Sequence, residues 1–249
     1  MKRHSYSQKF HIYIKMSRRY RLLWSNIKAL IPSLFFNFYY LPFKQAIKLP
    51  IMINKPHLHR MGGKIKIEGP VKHNMIRLGF FGGHMYPNNG IHWTQEGGTI
   101  IFRGKCRIGN NSFIVQGKDS TIEFGDDFMA STSLKLISFK SIRFGNHVSL
   151  GWECIIMDTN FHPLYDMEKE RFKKAFGPIV IGDYNWLGSQ CKVMHSVTTP
   201  ERCIFGLGSL LTHGGQYESY CVHGGSPIRV LSRNVMRMFG QDTIRDYND

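Results

Sequence analysis

Residues 181–211 read IGDYNWLGSQCKVMHSVTTPERCIFGLGSLL. Large, mostly apolar residues return at every sixth place: Ile181, Leu187, Val193, Thr199, Phe205 and Leu211. The place after each is often glycine, as at Gly182, Gly188 and Gly206. The fifth place is always small or medium: Asn185, Cys191, Val197, Cys203 and Ser209. A fixed internal period marks a repeat architecture, to be settled before any single element is assigned. Three such hexads predict one triangular coil. The large residue points into the prism and stacks on its equivalents, with a small residue beside it. The turn between faces needs a permissive backbone, met by Gly, Asn or Asp. One coil has no core of its own, so stability comes from stacking.

The same frame covers Phe144, Leu150 and Ile156, with Cys154 in the small interior place. Cys154, Cys191 and Cys203 therefore read as small buried hydrophobes rather than redox or metal groups. Upstream the repeat is looser. Ile108–Phe113 and Phe124–Met129 fit it, and Ile65–Gly69 and Thr99–Gly104 fit as partial coils. After His162 it stops, resuming near Ile179, so residues 163–178 (PLYDMEKERFKKAFGP) form an external loop. These spacings divide the chain into a basic amphipathic segment, 1–61, a β-helix domain, 62–231, and a short C-terminal helix or tail, 232–249. The fold class is all-β, with short helical segments at the ends.

The chain has 249 residues and a net charge of +16, unevenly placed. Residues 1–75 hold 15 Lys and Arg against a single acid, Glu68, a local charge of +14. From Leu23 onward, Leu23, Ile27, Leu30, Ile31, Leu34, Phe35 and Phe38 recur at helical spacing, with Arg18, Arg19, Arg21 and Lys28 among or before them. Two readings stay open. Residues 1–45 lie on an anionic membrane surface as an interfacial helix, or they cap the open first coil of the solenoid. No run of 18 apolar residues is present, so a membrane span is not expected. The start lacks a signal peptide's pattern. Five scattered cysteines without a Cys-x-x-Cys pair suit a reduced, cytoplasmic protein, peripheral at the inner membrane face where the basic segment binds it. No nucleic-acid module accompanies the basic block, and nucleic acid is not an expected partner.

Four phrases between Phe144 and Leu231 are specific. They are IMDTNFHPL at 156–164, GPIVIGDYNWLG at 177–188, FGLGSLLT at 205–212 and GGSPIRV at 224–230. In this order they resemble the maltose, galactoside and polysaccharide O-acetyltransferases of the hexapeptide-repeat family. The resemblance implies a left-handed parallel β-helix, acetyl-CoA as acyl donor, no metal, and a sugar or lipid-linked glycan as acceptor. It also implies a homotrimer, with the site shared between the His of one subunit and the CoA-binding coils of the next. His162 matches the catalytic histidine. A sugar hydroxyl is a very weak acid, and a histidine, ordinarily titrating at roughly 6.5, suits the role of general base. Asp158 or Asn160 is expected to orient its ring. Trp186 falls beside the acyl or pantetheine group; Ser189, Leu207, Thr212, His213 and Arg229 match positions lining the CoA groove, with Arg229 suited to a CoA phosphate.

The sequence departs from the family at several of these places. Asn185 stands where an apolar residue is usual, Leu207 replaces a common Ala, and His195-Ser196 replaces a small-Gly or Lys-Gly pair. His213 replaces a common Lys. Two other functions share the fold: a non-catalytic scaffold, and a metal-dependent enzyme of the carbonic anhydrase kind. The latter needs three converging histidines, for which His147, His162 and His195 are the available set.

Overall fold

The computed structural model describes residues 18–80 and 86–239, with side chains from Ile27 onward. The remaining residues of the basic segment, 1–17, lie outside the described residues. Three parallel sheets stack coil upon coil into a prism. Face A runs from Ile51–Ile53 through Ile76–Phe80, Cys106–Gly109, Phe128–Ala130, Ser149–Leu150, Trp186–Leu187 and Ile204–Phe205 to Cys221–Gly224. Face B holds seven strands, from Pro56–Met61 to Leu210–Leu211, and face C five, from Lys64–Ile67 to Ile179–Ile181.

Along each strand the burial alternates, and the inward residues form columns. Phe102, Phe124 and Phe144 stack at 5.2 and 5.6 Å between centroids, within 11° of parallel, and Ile181 continues the column on the next coil. All five cysteines are buried and free. Burial pushes the thiols of Cys154 and Cys203 up to about 12 and that of Cys191 to about 11. They act as neutral wedges; the Cys154 thiol donates to the Gly188 carbonyl at 3.3 Å.

The hexad period is strict only downstream. Trp186 pairs with Ile204, and Ile204 with Val222, each 18 residues on. Upstream, Phe102 pairs with Phe124 after 22 residues and Phe124 with Phe144 after 20. The longer coils explain the looser pattern there.

The glycines serve a different purpose from the one expected of them. The corners turn through the left-handed region at the fourth place of the hexad, and non-glycines hold it: Tyr184 (φ 56°), Gln190 (62°), Ser196 (63°) and Arg202 (55°). Their cost is offset by bonds to the coil above, such as Tyr184 N–H to the Asn146 carbonyl at 2.8 Å and Gln190 N–H to Trp152 at 2.6 Å. Glycine is needed at the second place because the next coil lies so close. A Cβ on Gly182 would collide with the Pro200 carbonyl, and one on Gly151 would come within 2.5 Å of the Ser189 nitrogen.

Both ends differ from the sequence-based boundaries. The β-helix begins at Ile51, not at Gly62, because Ile51–Ile53 and Pro56–Met61 are the first strands of faces A and B. Ahead of it, a helix from Arg18 to Tyr40 and a turn of helix from Phe43 to Ala46 cover the open coil. At the other end Arg229–Arg233 turns back antiparallel on Cys221–Gly224. Residues 234–239, where the expected C-terminal helix would begin, form no helix. They lie instead against face A, where the Arg237 guanidinium stacks over Trp186 at 4.8 Å and over Phe239 at 4.9 Å. Residues 240–249 lie outside the described residues. The external loop contains a small hairpin, Tyr165–Asp166 against Arg171–Phe172.

Candidate active site

The corner between faces B and C carries most of the expected chemistry. His162 stands there, directly after the face-B strand Ile155–Met157 and at the root of the external loop. It is exposed, its backbone N–H donates to the Asn160 carbonyl at 2.7 Å, and its ring makes no hydrogen bond among the described residues. One coil on, His195 occupies the same corner. Its Nε2 lies 3.0 Å from the Asn160 amide nitrogen, and its Nδ1 lies 3.2 Å from the Ser196 hydroxyl. The amide is a donor, so Nε2 accepts and the proton sits on Nδ1, facing Ser196. One further coil on, His213 Nδ1 is 3.3 Å from the Ser196 carbonyl. The corner is therefore a column of Asn160, His162, His195, Ser196 and His213.

Neither carboxylate nor amide orients His162 as the sequence suggested. Asp158 is fully buried and spends its oxygens on the preceding coil: the Ser138 hydroxyl at 2.8 Å and the backbone N–H groups of Phe139 at 2.7 Å and Lys140 at 2.9 Å. It ties the corner below His162 without touching the ring. Asn160 is engaged with His195 instead. His195 is the functional candidate that the residue pattern alone did not place at the site; its partner lies 35 residues away in the chain.

The CoA candidates divide between two edges. Thr212, His213 and Arg229 line one open cavity of about 790 Å³ at the end of the corner column. Arg233, also in its wall, is held by Glu218 at 3.0 Å, whereas Arg229 has no ion pair among the described residues. Ser189 and Leu207 lie on the opposite edge of face B, where the Ser189 hydroxyl accepts from the Trp152 N–H at 3.1 Å and Leu207 is 74% exposed. Trp186 is on face A, in register with Ser149 and Ile204. One chain thus does not bring Trp186 to His162.

The three histidines weighed as zinc ligands do not converge. His147 stacks on Tyr184 at the corner between faces C and A, while His162 and His195 share the other corner. Among the described residues no group of three or more His, Cys, Asp or Glu is placed to hold a metal.

Comparison with known proteins points to one chemistry. The chain is 26% identical over 153 residues to the galactoside O-acetyltransferase of Escherichia coli K12, covering 59% of this chain and 74% of that protein. It is 30% identical over 112 residues to the galactoside O-acetyltransferase of Lactococcus lactis, covering 42% of this chain and 53% of that one. It thus spans about three quarters of the first relative and about half of the second. Among solved structures, the polySia-specific acetyltransferase NeuO matches 76% of this chain and 72% of its own, at 20% identity and a TM-score of 0.50, a likeness of fold. No protein-family model matches the chain.

Proposed function

We propose that this relative of the galactoside O-acetyltransferases moves an acetyl group from acetyl-CoA to a hydroxyl of a sugar, with His162 as general base. The observation that carries the reading is the corner column: an unengaged imidazole at the root of the external loop, with a coil-by-coil continuation into a cationic cavity. The hydroxyl would give its proton to the His162 ring as its oxygen attacks the thioester carbonyl. The same proton then serves the departing sulfur, so His162 ends the cycle as it began. Arg229 suits a CoA phosphate, since a guanidinium matches phosphate geometry. Thr212 and His213 share its cavity.

A site that uses both His162 and Trp186 needs more than one copy of the chain, because the two stand on different sides of one prism. A homotrimer with the site between copies meets that need, with Trp186, Ser189 and Leu207 of one copy facing His162 of another. Incubation with acetyl-CoA and a panel of glycans, read by mass spectrometry, tests the activity. Addition of one acetyl group, lost on mild base as an ester is, supports it; CoA release without a modified sugar removes it.

Two features favour work at a membrane surface, where a lipid-linked acceptor is presented. The first is the basic block of the sequence. The second is the outer side of the first helix, where Ile27, Ile31, Phe35, Phe38 and Tyr39 are exposed, continued by Phe43 at 70%. No helix among the described residues is long and apolar enough to cross a membrane. Aromatic rings favour the headgroup boundary, and each basic residue near an anionic surface adds about 1 kcal/mol. The chain should float with anionic vesicles, less so at high salt and not with neutral ones. Ile31→Asp with Phe35→Asp should abolish flotation without unfolding, since both side chains face away from the β-helix. Equal flotation of that variant removes the helix from the contact.

A further inference from the structure

Away from the His162 corner, face A carries a depression of about 250 Å³ walled by Arg77, Phe80, Arg107, Met129 and Trp152. Arg77 and Arg107 are register partners on adjacent parallel strands, so their Cα atoms are about 4.8 Å apart. Their strand neighbours Ile76, Leu78, Cys106 and Ile108 are buried, so both arginines leave the outer side of the sheet. Like charges directly opposite one another destabilise a sheet, and such a pair needs a reason to persist. Arg77 is held rigidly. Its guanidinium lies 3.8 Å from the Phe80 ring centre and donates to the Asn74 side-chain oxygen at 2.8 Å. Burial, and then the charge of Arg107, push it below its ordinary value.

The acids that could answer this charge are used elsewhere. Glu68 and Glu123 are bound to Arg103, and Asp126 accepts from the Lys105 backbone N–H at 2.8 Å. Arg107 forms no ion pair among the described residues. A second depression, of about 510 Å³, shares both arginines and adds Lys72 and Lys105. The positive surface is therefore a track rather than a point. On its other side Trp152 is 44% exposed and Met129 is 37% exposed.

We propose that this cleft binds an acidic saccharide, with an oxyanion of the sugar in the fork of Arg77 and Arg107 and the sugar's apolar face against Trp152. Paired guanidinium groups suit a carboxylate or phosphate bidentately, and an exposed indole offers the flat apolar surface a pyranose ring presents. Calling the saccharide an acceptor rests on the acetyl-transfer reading. Binding does not, and it is measured without turnover, so either can fail alone.

The test is calorimetric titration of the full chain with three probes of equal length: an oligouronate, a phosphorylated oligosaccharide and a neutral one. Binding of either anionic probe, weakened by salt and absent for the neutral one, is expected; which of the two binds identifies carboxylate or phosphate. Arg107→Gln should weaken it tenfold or more, and Trp152→Ala several-fold. Arg107→Lys, which keeps the charge and loses the fork, should lie between and serves should the Gln variant misfold. Equal binding of the neutral probe overturns the proposal, as does anion binding indifferent to both Arg107 variants. So does an Arg107 variant that changes the oligomeric state in light scattering at unchanged affinity, which would make the pair part of an interface.

Discussion

His162→Ala should lower acetyl transfer by two or more orders of magnitude, the usual scale for loss of a general base, and leave the fold untouched. The second half follows from geometry. The ring is exposed and hydrogen-bonded to nothing among the described residues, so its removal leaves no cavity and no orphaned partner. A merely structural histidine would behave in the opposite way. His195→Ala is the informative contrast. It removes the acceptor that holds the Asn160 amide and the group facing Ser196, so it should disturb the corner and cost activity less than loss of the base. Steady-state transfer to the sugar, with circular dichroism as the control for folding, compares the two. Near-normal turnover by folded His162→Ala, with a collapse in His195→Ala, would move the base one coil down the corner.

How much of this was legible depends on which coil is read. Between Ile181 and Leu211 the chain advances one coil per 18 residues, so inward positions recur strictly and the hexad names the core, Ile181, Leu187, Val193, Phe205 and Leu211, from sequence alone. Above Phe144 each coil carries two or four extra residues in its corners. The strands still stack, but the period no longer counts them. For that reason Ile51–Met61 was not recognised as part of the β-helix. The role given to glycine failed for a related cause: a close approach between coils and a left-handed turn favour the same residue, and only coordinates tell which place needs which. At the site, His162 was marked by its phrase and by the break in the repeat. The Asn160–His195 contact could not be read, because it joins residues on successive coils across the external loop. Asp158 shows the converse. A carboxylate four residues from a candidate base invites a catalytic role, yet three donors on the coil above already occupy it.

Asn37→Leu should be the most destabilising single change in the N-terminal helix, although it swaps a polar for an apolar residue at a fully buried place. The reason lies in what the open end of a β-helix lacks. The first strand of face A, Ile51–Ile53, has no coil above it to accept and donate its outward backbone bonds. The helix supplies them from side chains. The Asn37 amide donates to the Ile51 carbonyl at 2.7 Å and its oxygen accepts from the Ile51 N–H at 3.2 Å, while the Ser33 hydroxyl accepts from the Ile53 N–H at 2.9 Å. Asn37 thus mimics one peptide unit of a missing strand. Leucine would leave a buried donor and acceptor unsatisfied, at roughly 1–3 kcal/mol each, or about 2–6 kcal/mol together. For a chain of this size that lowers Tm by roughly 5–20 °C. Phe36→Ala, which empties the place where Phe36 meets Trp93 edge-on at 5.1 Å, should cost about 3–5 kcal/mol by a different route, a cavity. Thermal melts of the two variants separate hydrogen-bonded capping from simple packing. If Asn37→Leu melts with the parent while Phe36→Ala does not, the helix covers the coil only as a hydrophobic lid. The cap also bears on membrane contact, since Phe36 and Asn37 face the β-helix while Phe35 and Phe38 face away. One helix can close the solenoid and still present an apolar side outward. Asn37→Leu should therefore melt early yet, below its Tm, float with anionic vesicles as the parent does.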